Sequence, residues 1–373
     1  MTDFLPFTRP TIDEDTIAAV VAVLRSGWIT SGPRVAEFER GLADYLGGTR
    51  QVRSMTSATG GLEMALKAFG VGAGDEVIVP AMSFAASANV VERLGARAVF
   101  ADVELRSRNI TAAAIEAAIT PRTRAIMPVH YSGLAVDMDA VLELAARHGL
   151  RVLEDAAHAI GTRHRGRLIG SFGDVASFSF HANKNMTTIE GGALAFVDPS
   201  LALPLDRERF HGISKDAAGN VDVYSAGGKY NLTDVAAAVG IGQLKRLDEF
   251  NARRRELVTH YFARLAPHLP ADMLPADGEG HSWHMFALLI PFTRLQTTRD
   301  AFIAQMRERG IGLGIHYPSI PGLTYYRQQG WDPAAFPNSQ RIGAETVTLP
   351  LFPAMTPADV ERVCDAVLDM TKL

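Results

Sequence analysis

Arg151-Val152-Leu153-Glu154-Asp155-Ala156-Ala157-His158 is an apolar run of strand length that ends on a carboxylate and passes into small residues. The run 174–180, Asp174-Val175-Ala176-Ser177-Phe178-Ser179-Phe180, is built alike and leads into His181-Ala182-Asn183-Lys184-Asn185. Similar runs recur at 76–80, 96–103, 125–130 and 192–197, with helical patterns between most of them. In 135–148, Val136, Met138, Val141, Leu142, Leu144 and Ala145 can share one helical face. Continuous apolar strands alternating with helices predict an α/β fold with a largely parallel sheet covered on both faces. Such sheets collect ligands at the carboxyl ends of their strands, where His130, Asp155 and Ser179 fall. The last two strands are joined by the Lys184 loop, with no room for a helix, so that pair is expected to be antiparallel.

Further along, 233–250 reads as a long helix that continues through 251–265. A strand-like run at 285–291 and helices at 298–309 and 357–370 predict a smaller second domain. The 373 residues, 47% hydrophobic and 21% charged, suffice for two cores. A net charge of -4 argues against nucleic acid as the main partner. No apolar run is long enough to span a bilayer. The opening Met1-Thr2-Asp3-Phe4-Leu5-Pro6 lacks a signal-peptide pattern, so a cytoplasmic protein is expected. Cys364, alone of its kind, shares an apolar pattern with Val360, Val363 and Val367 and is read as a core residue.

Several stretches carry chemistry. A lysine held in a compact loop after a strand can lose its proton and condense with a carbonyl, which makes Lys184 a Schiff-base candidate rather than one more solvated charge. Asp155, at a buried strand end, needs a cationic or hydrogen-bonding partner; a pyridinium N–H or a structural ion pair would serve. No metal-ligand set stands around it, and no metal is expected. His158 is either a second contact to the same ligand or a satisfied structural histidine. Ser57-Ala58-Thr59-Gly60-Gly61 opens a helix, whose free N–H groups suit a phosphate or need no more than an ordinary cap. Phe84 could stack on a flat ring or belong to the core. Asn231 could cap the helix after it or donate to a phosphate, and Thr233 or Asp234 could equally cap that helix. Together, a lysine, an acid for a ring nitrogen, an aromatic lid and a phosphate cup are the parts that hold pyridoxal phosphate.

These stretches resemble the DegT-type sugar aminotransferases, within the fold type of aspartate aminotransferase (fold type I). The resemblance runs nearly end to end, through Leu5–Pro10, Ser26–Pro33, Ser57-Ala58-Thr59, Glu154–Gly161, Phe178–His181, Lys184-Asn185, Glu190-Gly191-Gly192, Tyr230–Asp234, His316-Tyr317-Pro318 and Leu349-Pro350-Leu351. It implies a large cofactor-binding domain over 1–250 and a small C-terminal α/β domain over 251–373. Lys184 would bind the cofactor and act as acid and base. Asp155 would pair with the ring nitrogen, His158 would lie close to the ring, and Phe84 would stack on it. Ala58, Thr59 and Ser179 would hold the phosphate, joined by Asn231 of a neighbouring subunit, which makes a homodimer with shared active sites the expected assembly. Phe7, Arg9, Thr30, Ser31, His181, His316 and Tyr317 fall on the sugar side.

Within the family, the opening segments and His158 look most like the members that aminate C4 of a UDP-4-keto-pentose, with L-glutamate as donor and 2-oxoglutarate as co-product. That resemblance implies lipopolysaccharide or lipid A modification. UDP- or dTDP-4-keto-6-deoxyhexoses are the alternative substrates. Deoxysugar dehydratases of this type carry histidine in place of the lysine, so Lys184 argues for transamination; a non-enzymatic scaffold would have no need of Asp155, Ser179, Lys184 and Asn231 together. Two departures stand out: Pro318-Ser319-Ile320-Pro321 lacks the second histidine many relatives carry there, and Ala58 stands where glycine is common.

Overall fold

A computed structural model describes residues 4–371. The opening Met1-Thr2-Asp3 of the stretch read for a signal pattern therefore lies outside the described residues. The strands are β1 (Gln51–Met55), β2 (Glu76–Pro80), β3 (Arg97–Ala101), β4 (Thr123–Ile126), β5 (Arg151–Asp155), a two-plus-two hairpin β6 (Arg163–His164) and β7 (Arg167–Leu168), β8 (Val175–Ser179), β9 (Gly192–Phe196), a hairpin β10 (Ile213–Lys215) and β11 (Val221–Val223), and β12 (Phe286–Leu289) with β13 (Thr346–Leu349). Seven of them form the central sheet in the order β1-β9-β8-β5-β4-β2-β3. The pairs β2–β3, β2–β4, β4–β5 and β5–β8 are parallel, whereas β8–β9 and β1–β9 are antiparallel. One strand, β9, therefore runs against the rest, as its helix-free connection to β8 requires.

Alternation along each strand divides the core in two. Ile78, Ile126, Val152 and Ala176 pack on one face, while Val77, Ala125, Leu153 and Val175 pack on the other. Flanking helices include α1 (Glu14–Ser26), α2 (Pro33–Tyr45), α3 (Ala58–Ala68), α4 (Ala86–Arg93), α5 (Ala112–Ala118) and α6 (Met138–His148). Helix α6 starts three residues later than its apolar pattern because the Asp137 carboxylate caps it, accepting from the Ala140 N–H. The ladder of β4 stops at Ile126 rather than at 130: Pro128 has no N–H to give, and only an isolated bridge, Val129 to Asp155, follows.

The helix expected over 233–265 is two helices. After α7 (Ala202–Arg209), α8 spans Asp234–Lys245 and α9 spans Leu247–Leu265, broken at Arg246 (φ -108°, ψ 2°). Thr233 caps α8, and Asp234 turns back to cap α2, accepting from the N–H groups of Gly32, Arg34 and Val35. A separate core gathers Leu257, Tyr261 and Leu265 of α9 with Phe286, Leu288, Val347 and Leu349, with Phe302 and Met306 of α10 (Arg299–Glu308), and with Val360, Val363, Cys364 and Val367 of the last helix, Pro357–Met370. Cys364 is fully buried there. Strands β1 and β13 had no counterpart in the sequence reading. Among the described residues no helix is long and apolar enough to cross a membrane.

One glycine lets the halves of the ligand-binding edge meet. A Cβ on Gly192, at the start of β9, would lie 2.5 Å from the Ala58 nitrogen and 2.8 Å from the Phe178 oxygen, both backbone atoms that cannot swing away. Gly192→Ala is expected to destabilise the protein by about 1–3 kcal/mol through overpacking. Urea unfolding checks this, since a variant as stable as the parent would show that α3 and β9 can part without cost.

Candidate active site

The carboxyl ends of β5 and β8, the amino end of α3 and the segment after β2 surround a cleft of about 370 Å³, closed on its far side by His316 and Tyr317. Lys184 enters it from the β8–β9 loop. That loop is wound tightly: Phe180 donates to the Gly191 carbonyl at 2.8 Å, and its own carbonyl accepts from Thr188 N–H at 2.9 Å and Thr187 Oγ1 at 3.0 Å. The next residue, Asn185, is buried and fastens the loop to α9 and the second core, donating to Asn251 Oδ1 at 2.7 Å and Ser282 O at 2.9 Å. Burial lowers the Lys184 amine from 10.5 to about 8, with the Asp155 charge pulling the other way. Among the described residues the amine makes no ion pair.

Asp155 ends β5 and is itself buried. Ser87 Oγ donates to its Oδ2 at 2.7 Å and the Ala157 N–H to its Oδ1 at 3.2 Å. Burial raises this carboxyl, and the Ser87 and Ala157 hydrogen bonds, then Lys184 and His130, hold it down. His158 Nδ1 accepts from the Ser132 N–H at 3.3 Å, which leaves the proton on Nε2 to donate to Tyr317 Oη at 3.1 Å. Burial first, then the Lys184 and His316 charges, keep this imidazole well below its ordinary range, so it is neutral. Burial likewise holds His316 down at about 4 and pushes the Tyr317 phenol up. Phe84 is 57% exposed and its ring lies 5.4 Å from that of Tyr317.

At the other end of the cleft lies the amino end of α3. Ser57 caps α3 by accepting from the Gly60 N–H at 3.1 Å, and the first-turn N–H groups of Ala58 and Thr59 are those a helix leaves over. The Thr59 and Ser179 side chains border the same space. Ser177 Oγ donates to the Ala58 carbonyl at 3.1 Å and ties α3 to β8. The donor set therefore fits a phosphorylated pyridine: N–H and hydroxyl donors for the phosphate, a buried carboxylate for the ring nitrogen, an exposed aromatic face for the ring, and an amine lowered to about 8.

Of the residues singled out from the sequence, the cleft unites Ala58, Thr59, Phe84, Asp155, His158, Ser179, His181, Lys184, His316 and Tyr317. Phe7 stands behind it with its ring 5.1 Å from that of His316. Arg9 is exposed and lines a small crevice on another side of the Lys184 loop. Thr30, Ser31 and Asn231 do not border the cleft. Ser31 and Asn231 are tied to each other instead, Asn231 Nδ2 donating to Ser31 Oγ at 2.7 Å, while the Thr30 carbonyl accepts from the Asp234 N–H at 3.1 Å. Lys229 donates to Asn231 Oδ1. Ser83, Ser87, Asn183 and Glu190 went unassigned in the sequence; the bend before α4 brings Ser83 Oγ to 2.8 Å from Ser87 Oγ in that helix's first turn. The one group among the described residues with metal-ligand spacing, Asp137, Asp139 and His164, lies outside the cleft, where Arg165 pairs with Asp139.

The profile of the DegT/DnrJ/EryC1/StrS aminotransferase family matches residues 10–368. Among solved structures, a putative sugar aminotransferase, Spr1654 of Streptococcus pneumoniae in its PMP form, is 30% identical, with 99% of each chain covered and a TM-score of 0.93. DesV of S. venezuelae, solved with a ketimine intermediate, is 34% identical over the whole of both chains, with a TM-score of 0.89. Helicobacter pylori PseC, an aminotransferase involved in pseudoaminic acid biosynthesis, is 28% identical over 99% of this chain and 100% of its own, with a TM-score of 0.91. The fold is thus the aspartate-aminotransferase type expected from the sequence.

An amine that titrates near 8 should react with an acylating reagent tenfold faster per pH unit up to about 8 and level off above it. Peptide mapping of Lys184 acylation in the apoprotein measures this; a rate still climbing at pH 10 would mean an ordinary solvated lysine.

Proposed function

From membership of the DegT/DnrJ/EryC1/StrS aminotransferase family, to which the chain belongs, and whose cofactor is pyridoxal phosphate, we propose that it transfers the amino group of L-glutamate to C4 of a nucleotide-linked 4-keto sugar, a UDP-4-keto-pentose in the first instance. The observation that carries this reading is the pairing, in one cleft, of a lysine amine lowered to about 8 with a buried carboxylate. The bound cofactor supplies an electron sink that makes the proton on the amine-bearing carbon acidic. Lys184 takes that proton from the donor and later delivers one to the sugar C4, a task suited to an amine that titrates near 8 and so can both lose and regain a proton. Asp155 holds a proton on the ring nitrogen, and Phe84 and His158 cover the ring and keep water away. The N–H groups and hydroxyls of Ala58, Thr59 and Ser179 grip the phosphate. His181, His316, Tyr317 and Phe7, with Arg9, Thr30 and Ser31, orient the sugar nucleotide.

The proposed assembly is a homodimer. Asn231 stands outside the cleft of its own chain, on a partly exposed surface with Ser31 and Lys229, where a second copy could receive it. The proposed domain division is 1–250 and 251–373, which the separate core around α9, β12 and β13 supports. Cytoplasmic location and a part in lipopolysaccharide or lipid A modification belong to the same proposal. A UDP- or dTDP-4-keto-6-deoxyhexose is the second reading, since the site motifs are shared with enzymes of that class and the departure at Pro318-Ser319-Ile320-Pro321 leaves the sugar end open.

Purified protein given L-glutamate and a panel of these keto sugar nucleotides tests the reading by mass spectrometry of the product. The expected product is a 4-amino-4-deoxy sugar nucleotide, formed fastest from the UDP-pentose. Lys184→Ala is expected to stay folded and lose at least about 10³-fold in turnover. A deoxysugar product, or full turnover by Lys184→Ala, would contradict it.

A further inference from the structure

Ser83 and Ser87 are buried, at 2% and 0% exposure, beside a carboxylate that is itself buried. Ser87 lies in the first turn of α4, and its Oγ is 2.7 Å from Asp155 Oδ2 and 2.8 Å from Ser83 Oγ. The direction of both bonds is forced. An ionised carboxylate only accepts, so the one hydroxyl proton of Ser87 goes to Asp155, and Ser83 must donate to Ser87. A hydroxyl that accepts while it donates is the stronger donor. Among the described residues the Asp155 carboxylate receives just one other hydrogen bond, from the Ala157 N–H. The charged and titratable groups around it are Lys184 from the β8–β9 loop, His130 from the segment that follows β4 and the Tyr317 phenol from the far wall.

We propose that Ser87, oriented by Ser83, is a positioning residue for Asp155 that keeps the carboxylate ionised and the shared proton on the cofactor's ring nitrogen. The inference rests on the reading of Asp155 given above. A carboxylate and a pyridine nitrogen compete for one proton. A hydrogen bond donated to the carboxylate makes it the weaker base and moves the proton to nitrogen. Without the Ser87 hydroxyl, burial governs Asp155, the proton moves to oxygen and the ring becomes a poorer electron sink. The step is a single proton transfer: the ring N–H bond would break as an Asp155 O–H bond forms, and no other bond changes.

The test is ¹⁵N NMR of the holoenzyme carrying cofactor labelled at the ring nitrogen, recorded from pH 6 to 9. The parent and Ser87→Thr, which keeps a hydroxyl, should show the protonated-nitrogen shift throughout. Ser87→Ala should move toward the unprotonated shift within that range, and Ser83→Ala should move less in the same direction. Asp155→Asn is the control arm, expected to lose the protonated shift altogether. If Asp155→Asn moves and Ser87→Ala and Ser83→Ala keep the parent shift, the positioning role is refuted and Asp155 keeps its own. If Asp155→Asn also keeps the parent shift, the reading of Asp155 falls with it. Should Ser87→Ala fail to fold by circular dichroism, Ser83→Ala alone decides, since it leaves the Ser87 bond to Asp155 in place and removes only its reinforcement.

Discussion

The site depends on an amine and a carboxylate held in one cleft without pairing. For Lys184, a fall from 10.5 to about 8 amounts to about 3 kcal/mol in favour of the neutral amine. Had Asp155 reached the amine as an ion pair, the lysine would stay charged and useless as a base. Instead Asp155 is engaged by Ser87 and Ala157 on its own side. The two strand ends that carry these groups, β5 and the β8–β9 turn, are adjacent in the sheet, so the separation is written into the backbone.

The reversed strand β9 is the price of that arrangement. Turning back at once after β8 places a tight loop, rather than a crossover helix, over the strand ends, and the loop presents Lys184. It also brings β9 against the amino end of α3, an approach that only glycine at 192 allows. The position of the α3 amino end and that of the lysine are consequences of the same turn. Asn185 then anchors the loop to α9, and the Tyr317 hydroxyl accepts the hydrogen bond of His158 Nε2–H. The two cores thus meet at the chemistry.

How much of this was legible depended on how sharply each segment advertises itself. Strands 76–80 and 151–155 were readable to the residue, because continuous apolar runs bounded by polar residues have little else to become. Strand β1, Gln51-Val52-Arg53-Ser54-Met55, lies at the sheet edge and is half polar, with Arg53 paired to Asp206; β13 is four residues following directly on a helix. The first leaves no periodic signal, and the alternation of Thr346-Val347-Thr348-Leu349 is too short, coming straight after a helix, to stand out. The break at Arg246 depends on how α8 and α9 pack, which pattern alone does not encode. Lys184, Asp155 and the Ser57 turn stood out as polar groups where apolar ones were expected. Ser87 did not, since a serine among small residues is unremarkable until the carboxylate it serves is seen. Thr30, Ser31 and Asn231 could be marked as polar and grouped, yet their place outside the cleft follows only from the three-dimensional path of the chain.

The most direct test of the central claim, that Lys184 is the amine committed to the cofactor, is borohydride reduction of the holoenzyme followed by peptide mass mapping. The account predicts a stable phosphopyridoxyl adduct on the peptide bearing Lys184 and none on Lys67, Lys215, Lys229, Lys245 or Lys372. An adduct on any of those five with Lys184 unmodified would contradict it.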